Sequence, residues 1–164
     1  MKKLAILCLA LIMMVSVAVA SAETVLKQAL YPAHGTRAFC IATVAMDGDV
    51  ITAALLEEFQ YLGEGSIPVP NPENFTNESG SILAAKRVNN EFYSANMSAN
   101  GGATQELATS YKAVEAFCVG KTVAELEAAI EGKVAEDMAD VVTSSTLVDT
   151  LGYIQAVIEA AKSE

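Results

Sequence analysis

The sequence has no tryptophan, a single histidine, three cysteines and four prolines among its 164 residues. So few imidazoles and thiols cannot form a metal site rich in histidine or cysteine. Basic residues are also scarce, since ten Lys and Arg face 20 Asp and Glu, for a formal net charge of -10. Phosphate backbones require a basic surface, so this balance argues against nucleic acid as a partner. Apolar residues make up 52% of the chain, too large a share for a disordered protein.

The first 22 residues have the three parts of a secretory signal peptide. Lys2 and Lys3 form a positive start, residues 4–19 carry no charge, and residues 20–22 (Ala-Ser-Ala) are a small-x-small cleavage site. The alternative, a membrane anchor, requires about 18 or more apolar residues, and this run is slightly short. We therefore predict an exported protein whose residues 23–164 form one domain.

Removal of the leader leaves eight basic and 20 acidic residues, a net charge of -12. Cys40 and Cys118 remain, in a setting that permits disulfides. Both have apolar neighbours, so two alternatives stay open: a disulfide that closes a long loop, or two buried thiols.

A β-hairpin is predicted near the start of the mature chain. Residues 37–46 and 50–59 are rich in strand-forming side chains, and the Asp-Gly-Asp turn at 47–49 contains a glycine that supplies a positive φ. Residues 63–80 hold three alternating prolines, which predicts a loop.

Three helices are predicted in the second half, where the apolar period changes. The first ends at Gly120, and its apolar positions are Leu107, Tyr111, Val114 and Cys118. The second begins with a capping box formed by Thr122 and Glu125 and ends at Gly132. The apolar stripe of the third comprises Leu147, Leu151, Ile154, Ile158 and Ala161. Strands first and helices later indicate an α+β fold, a small antiparallel sheet (the N-terminal hairpin) packed against C-terminal helices.

Catalytic constellations are weak in this sequence. His34 has no carboxylate or nucleophile near it in the chain, and its surroundings indicate a loop that enters the first strand. Since no nucleophile–base pair can be named, a secreted hydrolase is the least favoured function.

Residues 140–146 (Asp-Val-Val-Thr-Ser-Ser-Thr) concentrate hydroxyl and acidic side chains just before the apolar stripe begins at Leu147. A helix start leaves several N–H groups free and carries partial positive charge. Two interpretations stay open. The hydroxyls cap the helix, with Asp149 in its first turn, or they join the N–H groups in binding a phosphate.

The same segment resembles the flavin-attachment motif of the FMN-binding domain family of exported bacterial redox proteins. That family carries Asp-x-x-Ser/Thr-Gly-Ala-Thr at the start of its final helix, and a flavin transferase links FMN to the last Thr through a phosphoester. The resemblance implies a cofactor site at Asp140, Thr143, Ser144, Ser145 and Thr146, with Thr146 as the attachment residue. Ser144 and Ser145 replace the family's Gly and Ala, and side chains there can obstruct a close backbone approach, so covalent and non-covalent FMN both stay open.

Two further stretches carry the resemblance, which extends over about residues 35–158. Residues 42–51 fit the family's opening hairpin with its Asp-Gly turn, and residues 93–97 and 111–125 resemble its middle helix and the Val-Gly-Lys-Thr that ends it. The resemblance implies an apolar wall for the isoalloxazine from the side chains Val44, Met46, Leu55, and Met97 or Tyr93. The Gly-Gly-Ala-Thr at 101–104 is similar only superficially, and we interpret it as a loop and helix cap.

The resemblance implies an FMN-binding protein of the cell envelope or exterior that carries electrons, in preference to an enzyme that converts a metabolite. Its partners would be a membrane or extracytoplasmic redox protein, and a flavin transferase if the flavin is attached. The alternative is a flavin-free secreted binding or envelope protein that keeps the same fold.

Overall fold

A computed structural model of the protein describes residues 23–142 and 144–164, except the side chains of Arg37 and Asp140. The predicted signal peptide lies outside the described residues. Within them, no helix combines the length and the apolar character needed to cross a lipid bilayer.

Four strands form one antiparallel sheet in the order β1-β2-β3-β4. They are β1 Val25–Tyr31, β2 Ala38–Asp47, β3 Val50–Leu62 and β4 Ile82–Ala85. The predicted hairpin is confirmed as β2 and β3, and Gly48 has the expected positive φ of 60° in its turn. The hairpin is the centre of the sheet, because β1 and β4 add one strand at each edge.

In the part of the chain that the structure describes, five α-helices follow the sheet: α1 Asn90–Gly101, α2 Leu107–Cys118, α3 Val123–Ile130, α4 Met138–Val141 and α5 Thr150–Lys162. The capping box that begins α3 is confirmed, since the N–H of Thr122 donates to Glu125 Oε2 at 2.8 Å and the N–H of Glu125 donates to Thr122 Oγ1 at 3.3 Å. Apolar periodicity did not predict α1, because Tyr93 is its one buried residue.

The core lies between one face of the sheet and the helices, with α5 against β1 and β2 and α2 against β3. Fully buried residues from both layers meet there, among them Ala42, Leu56, Val114, Ile154 and Val157. The predicted α+β fold, with an antiparallel sheet packed on C-terminal helices, is therefore confirmed. The opposite face of the sheet carries exposed side chains such as Leu26, Leu30 and Leu55.

Candidate functional site

A cleft of about 250 Å³ lies between α1, the end of β3 and the segment that leads into α5. Its apolar wall consists of Tyr93, Met97, Leu107, Leu147, Val148 and Tyr153. Side-chain amides at Gln60, Asn96 and Asn100 add polar groups to this wall. An apolar, partly aromatic concavity with a few polar groups is the usual composition of a small-molecule site.

Thr146, the predicted attachment residue, lies on the wall of this cleft. Its Oγ1 accepts a hydrogen bond from the backbone N–H of Gln105 at 3.1 Å, and its own N–H donates to Ser110 Oγ at 3.4 Å. The hydrogen bond from Gln105 joins Thr146 to the chain directly after the Gly-Gly-Ala-Thr segment at 101–104, here called the glycine-rich loop. Gly101 and Ala103 of this loop also line the cleft. Two segments that resemble the same motif therefore meet at one cleft.

The other four predicted cofactor-binding residues are placed differently. Ser145 is buried, and its hydroxyl lies 2.8 Å from a threonine hydroxyl at the start of α5. Ser144 is exposed and is not part of the cleft wall. Thr143 and the side chain of Asp140 lie outside the described residues. Of the five residues predicted from the attachment motif, Thr146 is the one whose described position lies on the cleft wall.

Helix α5 begins later than the apolar stripe predicts. Its first residue is Thr150, and Leu147 precedes it in an irregular segment. The Thr150 hydroxyl donates to the carbonyl oxygen of Leu147 at 2.8 Å, which turns the chain before the helix starts. Asp149 is the N-cap residue, so its carboxylate lies at the positive end of the helix dipole. The prediction of a helix directly after Thr146 is therefore wrong.

His34 and Asp149 form a pair on the cleft wall through Nδ1 and Oδ2, with side chains 26% and 29% exposed. His34 lies in the connection between β1 and β2, as the sequence predicts. Gly152 allows the loop that carries His34 to pack closely against the start of α5. A Cβ at position 152 would lie 2.2 Å from the carbonyl oxygen of Ala33. Sequence reasoning missed the pair because its two members are far apart in the chain. Among the described residues, no hydroxyl or thiol is hydrogen-bonded to His34.

A buried ion pair lies beneath the cleft. Lys86 Nζ contacts Glu58 Oε2, and both side chains are fully buried. Glu58 Oε2 also accepts a hydrogen bond from the Tyr153 hydroxyl at 2.6 Å, and the Tyr111 hydroxyl lies 3.2 Å from that of Tyr153. Glu58 Oε1 is buried and has no hydrogen-bond partner in the described part of the chain. Sequence reasoning named neither Lys86 nor Glu58.

The tyrosines of this cluster are held in their neutral form. Burial raises the pKa of Tyr111 well above its ordinary value, and the nearby Glu58 carboxylate adds to that effect. Burial likewise raises the pKa of Tyr153, reinforced by Tyr111 and Glu58. Both hydroxyls therefore remain hydrogen-bond donors across the physiological pH range.

The side chains predicted for the apolar wall of a flavin site fall into two groups in the structure. Tyr93 and Met97 line the cleft, whereas Val44 and Met46 are buried in the core away from it. Leu55 lies on the opposite face of the sheet and is 54% exposed. None of these three hairpin side chains lines the cleft. Strand alternation places Leu55 on the open face, whereas Val44 and Met46 face the helices near the hairpin turn, at the opposite end of β3 from the cleft residue Gln60.

Both cysteines of the mature chain are free and buried, so the structure favours the two-thiol alternative over the disulfide. Burial raises the pKa of Cys40 to about 12, and the neighbouring Glu58 and Glu57 carboxylates act in the same direction. Burial also raises the pKa of Cys118 to about 12.

The cleft differs in charge from the rest of the molecule. The whole chain carries a formal charge of -10, yet Asp149 is the one carboxylate among the residues that line the cleft, and His34 pairs with it. Lys86 belongs to the same wall, and its ammonium is paired with the buried Glu58 carboxylate. An anionic ligand would therefore meet less repulsion here than at a site lined by several carboxylates.

Comparison with known proteins gives no match to a protein-family model, to a curated protein or to a solved structure.

Proposed function

We propose that this chain is an exported electron-transfer protein that binds FMN in the cleft beside Thr146. The observation that carries the proposal is the position of Thr146 on the wall of a cleft that also presents Tyr93, Met97 and Tyr153. A hydroxyl is the group to which a phosphoester can be made, and apolar or aromatic side chains suit the faces of a flavin ring. FMN would supply one- and two-electron chemistry, while the protein binds and orients it.

The fit between the cleft and FMN is partial. Sites that enclose a drug-sized ligand measure about 300–1,000 Å³, and this cleft of about 250 Å³ is slightly smaller. It would therefore hold part of the cofactor and leave the rest at the surface. The amides of Gln60, Asn96 and Asn100 are suitable partners for the polar edge of the ring. A partly exposed flavin suits electron exchange with another redox protein.

Attachment would change the Thr146 side chain in a defined way. The hydroxyl loses its proton, the phosphate of the flavin loses a hydroxyl group, and the product is heavier by one FMN minus one water. A flavin transferase would be the partner for this step. The hydroxyl already accepts the N–H of Gln105, which fixes the rotamer of a half-buried side chain.

The test is the intact mass and visible spectrum of the mature protein, co-expressed with a flavin transferase in an exporting host. We expect a yellow protein that keeps its colour after denaturation. Thr146→Ala should abolish covalent flavin and cost about 1 kcal/mol of stability for the lost hydrogen bond. Thr104→Ala is the matched control, because Thr104 is exposed and lies outside the cleft wall. Covalent flavin retained in Thr146→Ala would contradict the attachment site.

The second candidate is a flavin-free secreted binding protein of the same fold. The small volume of the cleft favours it, as does Ser145, which stands where the resembling family has Ala and is engaged in a buried hydroxyl pair. A colourless protein at its unmodified mass, even with flavin and transferase supplied, would favour this candidate over the first.

A further inference from the structure

Burial of the Lys86–Glu58 pair carries a large cost in free energy. Taking two charges out of water costs several kcal/mol per ion, and their attraction offsets this cost only with good geometry and further hydrogen bonds. Apolar residues of similar volume often stabilise a protein as well or better. A buried pair is therefore weak evidence for a stabilising role, and its position beneath the cleft points to a role in the site.

The two members of the pair are not equivalent with respect to the cleft. Lys86 and Tyr93 both belong to the cleft wall, and Lys86 Nζ lies 4.3 Å from the centre of the Tyr93 ring. Glu58 does not line the cleft, and the Tyr153 hydroxyl donates to its Oε2 at 2.6 Å. Lys86 is therefore the member of the pair that belongs to the cleft wall, and Glu58 is the member set back from it.

The backbone holds this arrangement in place. The N–H of Lys86 donates to the carbonyl oxygen of Glu58 at 2.8 Å, so the chain that leaves β4 stays bonded to β3. The cation–π contact with Tyr93 further restrains the side chain. A fixed positive charge in a water-poor wall interacts more strongly with a ligand than a charge in solvent.

We infer that Lys86 raises the reduction potential of a flavin bound in the cleft by stabilising the negative charge that the ring gains on reduction. This inference rests on the proposed function. Uptake of two electrons and one proton leaves the ring one unit more negative, with the electrons supplied by a redox-protein partner, or by dithionite in the test. The Glu58 carboxylate, which does not line the cleft, opposes the effect, and hydrogen bonds from the Tyr153 and Tyr111 hydroxyls moderate its charge.

The test is the midpoint potential of the flavin-loaded mature protein, measured by spectroelectrochemical titration with dithionite. Lys86→Met/Glu58→Gln removes both charges together and so avoids an unpaired buried ion. We expect this variant to favour the oxidised flavin by about tenfold relative to the unmodified protein, which corresponds to about 30 mV for a two-electron couple.

The matched control is Lys162→Met/Glu127→Gln, which removes a second Lys–Glu pair that is about half exposed and lies outside the cleft wall. Its potential should equal that of the unmodified protein. The inference would be overturned if the midpoint potential of Lys86→Met/Glu58→Gln equalled that of the unmodified protein, or if the control variant showed the same shift. Either result would leave the proposed flavin site unaffected. An unmodified protein that carries no flavin overturns the proposed function and this inference together.

Discussion

The two faces of the sheet have opposite characters. The face covered by helices encloses a lysine and a glutamate whose side chains are fully buried, Lys86 and Glu58. The open face exposes large apolar side chains, with Leu26 at 73% and Leu30 at 69%. Hydropathy alone would assign these residues the other way round. The difference shows that a charge can be buried where it is paired, whereas an apolar side chain can remain in water where nothing packs over it.

Neighbouring strands partly shield the open face. Phe39 and Phe59 are directly opposite each other on β2 and β3, and their rings stack with centroids 5.3 Å apart. Such cross-strand pairs reduce exposed apolar area and contribute about 0.2–1 kcal/mol each. The covered face is stabilised in another way, by the helices that pack on it and by hydrogen bonds to the buried Glu58 carboxylate.

The largest effect expected from burial beneath the helices concerns thiol reactivity on the covered side of the sheet. Cys40 lies on the covered face, and its pKa of about 12 leaves about a thousandfold less thiolate than an ordinary cysteine with a pKa of 9.0. The pKa of the Cys118 thiol is likewise raised to about 12. A thiol reagent at about pH 8 should therefore react with neither cysteine in the folded protein and with both in guanidinium chloride. Rapid labelling of the folded protein would show that the covered face is accessible, and no labelling after denaturation without reductant would indicate a disulfide.

The next largest effect should follow from breaking the buried pair. Lys86→Met leaves the Glu58 carboxylate buried without its cation, and loss of one partner of such a pair costs about 3–5 kcal/mol. Urea denaturation of the flavin-free protein would measure this loss. The double change Lys86→Met/Glu58→Gln should recover most of it. Equal stability of the single and double variants would mean that water reaches Glu58 and that the charge is not truly buried.

The most direct comparison concerns two adjacent leucines of β3, one of which gives the smallest effect expected. Leu56 is fully buried on the covered face, and Leu55 is 54% exposed on the open face. Leu56→Ala should cost about 2–5 kcal/mol because it opens a cavity in the core. Leu55→Ala should change stability by about 0.5 kcal/mol or less. A large loss for Leu55→Ala, measured by thermal or urea unfolding, would indicate that the open face is covered by another molecule in solution.

Much of the fold could be predicted from short stretches of sequence. The Asp-Gly turn and its flanking strands, the apolar spacing of α2 and the capping box of α3 depend on residues within a few positions of one another. The start of α5 could not be predicted in this way. Leu147 continues the apolar spacing of that helix, but the hydroxyl of Thr150 bonds to its carbonyl oxygen and ends the irregular segment there.

The candidate site was predictable only in part. Thr146 was singled out by its motif, and the structure places it on the wall of the cleft. The pairs His34–Asp149 and Lys86–Glu58 gave no local signal, since their partners come from different elements. The need for glycine at position 152 could not be predicted either, because the close neighbour is the carbonyl oxygen of Ala33, in the loop before β2.

The sequence by itself determined the acidic surface, the central hairpin, α2 and α3, and the hydroxyl-rich segment that contains Thr146. These features arise from composition, periodicity and hydrogen bonds between near neighbours. The tertiary structure alone decided that Thr146 and the glycine-rich loop share a cleft, that Lys86 is buried beside it, and that the two thiols remain apart. Those outcomes depend on contacts between residues distant in the chain, which form only when the helices pack onto one face of the sheet.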